Sequence, residues 1–167
     1  MPEKETVFSS KIAYGGVFSF KELYKFCYEW LKEETGLDIS ENKYEEKIVG
    51  ESKNIVVEWK GEKKVTDYFK FEVEVKFTID GLTNVEINQG GAKVNTNKGK
   101  ATITVKGNLV RDYDGKFEGT AFKKYLRESY EKWVIPARVG EYSDKLSKSC
   151  DEFLSQAKAY LDLEGKK

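Results

Sequence analysis

Between Phe69 and Ile79 the chain alternates without interruption. Phe69, Phe71, Val73, Val75, Phe77 and Ile79 fall on one side, and Lys70, Glu72, Glu74, Lys76 and Thr78 on the other. Successive side chains of an extended strand point to opposite faces, so this segment presents one apolar and one charged face. A chain containing it must cover the apolar face. An antiparallel sheet with helices on one side and water on the other meets that requirement.

The flanking sequence supplies the rest of such a sheet. Val7 to Tyr14 reads as a first strand, broken by Gly15-Gly16. Tyr44, Glu46 and Ile48 alternate before Gly50, and Ile55, Val57 and Trp59 before Gly61. After Ile79, Asp80-Gly81 signals a turn and Val85 with Ile87 a short strand. Gly90-Gly91 signals another turn, and Ala92 to Thr96 a return strand ended by Asn97-Lys98-Gly99. Ala101, Ile103, Val105, Gly107 and Leu109 alternate in a last strand. The short spacings favour hairpins and predict an antiparallel sheet of about six to seven strands.

Two helical regions bracket the sheet. Ser19 and Glu22 form a capping box, with Phe18 and Leu23 placed as a hydrophobic staple. Phe20, Leu23, Tyr24, Cys27, Trp30 and Leu31 follow at helical spacing, and Gly36 stands where a C-terminal cap belongs. Near the other end, Thr120 is a candidate N-cap for a stripe of Phe122, Tyr125, Leu126, Tyr130, Trp133 and Val134. Pro136 breaks this helical segment. A second helix is expected over 137–163, on a narrow seam that includes Val139, Tyr142, Leu146, Cys150, Phe153, Ala157 and Leu161. The fold expected is a single α+β domain over 1–167, with the N-terminal helix and the long, Pro-broken C-terminal helical segment packed on one face of the sheet.

Composition mainly excludes. Lys+Arg and Asp+Glu are both 29, so no general attraction to nucleic acid follows and no nucleic-acid partner is expected. Histidine is absent, which removes Ser-His-Asp and Cys-His catalysis and histidine metal sites. Cys27 and Cys150 belong to no C-x-x-C motif and are expected to be reduced core thiols. The stretch from Met1 to Thr6 lacks the apolar core of a signal peptide, and no window is apolar enough to span a bilayer. A cytoplasmic protein without a cofactor is expected.

Each candidate site has a plainer explanation. Asp112, Asp114 and Glu118 beside Gly115 offer carboxylates to a hard cation, but Asp and Gly building a strand-to-helix turn explain them equally, and no metal is expected. Glu72 and Glu74 share a strand face, yet Lys70 and Lys76 flank them, which favours a solvated, charge-paired surface. Gly90-Gly91 and Asn97-Lys98-Gly99 match no phosphate-loop pattern. Cys27 lies on an apolar stripe with no histidine to activate it. Arg127 and Arg138 around Trp133 and Pro136 would suit a binding hot spot, and an interhelical corner with Arg capping carbonyls is the favoured explanation.

The order of strand, helix, strands and C-terminal helix resembles the helix-grip, or START-like, fold. It differs in having one helix after the first strand and a break at Pro136. That resemblance implies a sheet curled around the C-terminal helix, often enclosing an apolar cavity. The wording of Tyr14-Gly15-Gly16-Val17-Phe18, Asp67-Tyr68-Phe69-Lys70-Phe71 and Ile135-Pro136-Ala137-Arg138-Val139 is also similar to a family of small archaeal proteins, which implies no activity. The function expected first is non-enzymatic binding of an apolar small molecule or lipid between sheet and C-terminal helices. Trp59, Phe71, Val73, Phe122, Tyr125 and Trp133 are the expected lining. Side chains that simply fill their own core are the competing account. The alternative is a protein–protein or self-assembly module that uses the helix over 137–163 through Tyr142, Leu146 and Phe153. An enzyme ranks third, because acid–base work would fall to Asp, Glu, Lys or Tyr alone.

Overall fold

The computed structural model describes residues 3–66, 68–111 and 135–165. Strand β1 (Glu3–Val17) leads into helix α1 (Phe20–Thr35), and strands β2 (Asp38–Val49), β3 (Ser52–Lys64), β4 (Phe69–Gln89) and β5 (Ala92–Arg111) follow. Helix α2 (Ile135–Gly165) closes the described chain. The strands form one sheet in the order β1-β5-β4-β3-β2, antiparallel throughout. The fold is α+β with both helices on the apolar face.

Among the described residues the sheet has five strands and not six or seven, because two turn signals do not turn the chain. At Asp80-Gly81 the ladder shifts register and continues: Gly81 takes φ +62°, and β4 runs on to Gln89. The left-handed backbone of glycine absorbs an extra residue as a β-bulge. The Asn54 side-chain oxygen accepts the Gly81 N–H at 2.9 Å and pins the bulge to β3. Asn97-Lys98-Gly99 likewise stays within β5. Asn97 instead anchors α1: its backbone oxygen accepts from Phe18 N at 3.0 Å and its side-chain oxygen from Phe20 N at 3.1 Å. Gly15-Gly16 and Gly61 also lie inside strands. Gly90-Gly91 does turn, joining β4 to β5.

Helix α1 begins and ends where its capping residues require. Ser19 Oγ accepts the Glu22 N–H at 3.3 Å, and Gly36 ends the helix in the left-handed conformation. Pro136 is the second residue of α2, where its missing N–H removes no helical bond. The helix expected before Pro136, with Phe122, Tyr125 and Trp133, lies outside the described residues.

The core fills the space between the Phe/Val face and the helices. Trp59 is buried in edge-on contact with Tyr24, Tyr28 and Phe77, at ring separations of 5.1, 5.7 and 4.8 Å. Phe26 stacks on Tyr160 at 4.5 Å and Trp30 meets Phe153 at 5.7 Å, which joins the helices to each other. Leu146, Cys150, Phe153, Leu154, Ala157 and Leu161 are all buried, so the chain's own core covers these seam positions of α2. Among the described residues no helix is long and apolar enough to cross a membrane.

The opposite face carries cross-strand Lys–Glu pairs, such as Lys70–Glu62 at 3.5 Å and Lys76–Glu58 at 4.0 Å. One part of it departs from the solvated surface expected there. Glu72 is 4% exposed and Asn108 is fully buried. Lys4 Nζ donates to Glu72 at 2.6 Å, Thr6 Oγ1 donates to Asn108 Oδ1 at 2.8 Å, and Asn108 Nδ2 donates to Glu74 at 3.3 Å. These bonds fasten edge strand β1 across β5 to the central strand β4.

Burial pushes the Glu72 carboxyl up, but the Lys4 hydrogen bond and the charges of Lys4, Lys60 and Lys70 prevail and hold its pKa below the ordinary value. A depressed folded pKa gives stability that is complete above about pH 4.3, the unfolded-chain value for Glu. It is lost as pH falls through the folded pKa. Lys4→Met is therefore expected to cost about 1–2 kcal/mol at pH 7, since Glu72 would lose its closest counter-charge while buried. Urea unfolding between pH 7 and pH 3 is the measurement. The wild type should lose more stability below pH 4.3 than Glu72→Gln does, and equal losses would reject this role.

Candidate functional site

One concavity begins with a row of residues across the apolar face. Gly61, Val73 and Gly107 are in register on β3, β4 and β5, with Phe8 next on β1. Two of these four inward positions carry no side chain. The chain above drops into both gaps. A Cβ on Gly61 would lie 3.2 Å from Leu37 Cβ, and one on Gly107 would lie 2.9 Å from Cys150 Sγ. Glycine in a strand commonly marks such a close approach. Leu37 follows the α1 cap and Cys150 sits on α2, so the row sets how close both helical elements come to the sheet.

Between these contacts the sheet and helices do not fill the space. A cavity of about 250 Å³ remains, with Phe71, Val73 and Val105 on the sheet side. Leu31 and Leu37 wall it from the α1 end, and Leu146, Cys150 and Phe153 from α2. Its polar residues are Glu34, Thr35, Lys63, Lys145 and Ser149. Glu34, Lys63 and Lys145 are exposed, which places the charges at the mouth and the apolar groups inside. Lys63 Nζ donates to the Thr35 carbonyl at 3.2 Å, across the C-terminal end of α1. The Thr35 hydroxyl donates to the Leu31 carbonyl and accepts the Leu37 N–H at 3.3 Å, so that helix end is internally bonded.

Of the residues expected to line a cavity, Phe71 and Val73 do so. Trp59 is buried nearby under Tyr24 and Tyr28 and is not among the lining residues. Phe122, Tyr125 and Trp133 lie outside the described residues, as do Asp112, Asp114 and Glu118. Leu146 and Phe153, expected on a partner surface, are buried cavity walls. Tyr142 packs edge-on against Phe69 at 5.1 Å. Sequence reading missed the α1 end and Lys63. The signal that finds the cavity is the glycine pair itself: by local pattern Gly61 reads as a strand end and Gly107 as one more member of an alternating strand, and only their shared register shows the gap.

The reactive groups near the cavity are quiet. Burial pushes the Cys150 thiol up to about 12 and the Cys27 thiol up as well, so both stay protonated at neutral pH. Both cysteines are free and buried. A separate cluster joins Tyr24 and Trp59 to Glu41: Tyr24 Oη donates at 2.6 Å and Trp59 Nε1 at 3.4 Å. Burial and the Glu41 bond raise Tyr24 to about 12, which makes it a donor at neutral pH and not a base. Among the described residues no group of His, Cys, Asp or Glu could hold a metal ion. No family model matches this chain, and no curated protein or solved structure does either.

The close approach at Gly107 can be measured. Gly107→Ala is expected to push α2 outward and cost about 1–3 kcal/mol, the usual range for overpacking. Thermal unfolding should show Gly107→Ala/Cys150→Ala recovering part of that loss, since removing Sγ frees the space. Additive losses would mean that the two positions do not touch.

Proposed function

We propose that this protein is a non-enzymatic binding module for an apolar small molecule, or for the chain of a lipid, held between the sheet and the helices. The observation that carries this reading is the cavity above the Gly61–Val73–Gly107 row, apolar within and polar at its mouth. Protein interiors are packed to crystal density and tolerate few voids. Burial of apolar ligand surface in such a space is favourable at about 25 cal/mol per Å². At about 30 Å³ per water the volume equals roughly eight waters, which suits a short chain or a single ring more than a two-chain lipid.

A helix-grip arrangement, with the sheet curved about the C-terminal helix, is the architecture this reading implies. Raised thiol and tyrosine pKa values and the absence of histidine support binding over catalysis. The alternative, self-assembly through the helix over 137–163, draws no support from the α2 seam, which packs on its own sheet.

A neutral fluorescent probe such as N-phenyl-1-naphthylamine is expected to bind the purified protein with a blue-shifted emission. Val73→Phe should fill the cavity floor and weaken that binding at least about tenfold, with a circular dichroism spectrum like the wild type; Val105→Leu is a milder fill should the first variant misfold. Native mass spectrometry of freshly purified protein gives a second reading of any bound molecule. No probe binding together with a clean unliganded mass would sink the proposal.

A further inference from the structure

The geometry points to a more specific occupant: a single-chain amphiphile with an anionic head, its tail over Val73 and its head between Lys63 and Lys145. This rests on the binding function proposed above and adds the chemical class of the ligand. Charge at the mouth carries it. Lys63 stands at the end of β3 and Lys145 on the first half of α2, so two cations from separate elements border one opening. Ser149 lies one helical turn beyond Lys145, on the same face of α2, and adds a hydroxyl donor.

The opposing charges are fewer. Among the described residues Glu34 is the single acidic one lining the cavity, against two lysines. The carbonyl end of α1 also faces this mouth and carries partial negative charge, but Lys63 already donates to it at Thr35. Lys145 makes no ion pair among the described residues, so its charge is available to a ligand. Ammonium donors favour carboxylate, sulfate or phosphate oxygens over an uncharged hydroxyl, because a bond between ionised partners is about twice as strong. Among the described residues the interior offers an incoming head little: its polar atoms are the Cys150 thiol and the internally bonded Thr35. A charged head therefore stays at the rim while the tail enters.

Displacement of the neutral naphthylamine probe by octanoate, octanol and octylammonium separates the possibilities. Octanoate is expected to displace it at roughly three- to tenfold lower concentration than octanol, with octylammonium weakest. The advantage should shrink in high salt, as it must for charges near solvent. Lys145→Glu should reverse the order of octanoate and octylammonium. The side chain is exposed, so the fold should be kept. Equal displacement by all three, or an unchanged order in Lys145→Glu, would overturn the head-group assignment and leave apolar binding standing. Failure of the probe itself to bind would overturn the binding function.

Discussion

Burial of one face of β4 is the constraint on which the rest of this structure depends. Six large apolar side chains on the central strand cannot remain in water, and neighbouring strands extend the same face to Trp59 and Ile103. Both helices lie on that side because apolar cover is needed there and nowhere else to the same degree. The charged face solves a different problem. It sets strand order and register through cross-strand pairs, and the 2.6 Å Lys4–Glu72 pair holds the edge strand β1 that α2 packs upon.

How the cover fits is decided by two missing side chains. An unbroken row of Val or Phe across β3, β4 and β5 would hold a helix at a uniform distance. Glycine at 61 and 107 lets Leu37 and Cys150 descend to the backbone on either side of Val73. Contact at two points leaves room between them, and the cavity occupies that room. The charged mouth follows from the same geometry, since α1 ends, β3 ends and α2 passes at this place. Apolar depth and a polar rim are the features on which the proposed binding function rests.

Much of the framework was legible in the residues. Period-two alternation located β3, β4 and β5, and the Ser19, Glu22 and Gly36 signals placed α1 because capping is a local interaction between near neighbours. Pro136 marked the start of α2 for a similarly local reason. Asp80-Gly81 misled because a glycine with positive φ serves a tight turn and a bulge equally well. Which one forms depends on whether β3 and β5 continue alongside. Glu72 misled because its alternation with lysines says nothing about how much water reaches the group. The candidate site was only half visible: Phe71 and Val73 were named from the alternating face, but Glu34, Lys63 and Ser149 lie on three elements far apart in the chain.

The sequence by itself determined the two faces of the sheet, the capped first helix and the exclusion of histidine-based chemistry, because each follows from residue type and short-range spacing. Only the tertiary structure decided that four strand signals merge into the two strands β4 and β5, that Glu72 is buried and paired, and that the space over Val73 is hollow. Those outcomes depend on which strand lies beside which and on how closely a helix approaches a glycine. Such distances are set between residues remote in sequence, where no local pattern records them.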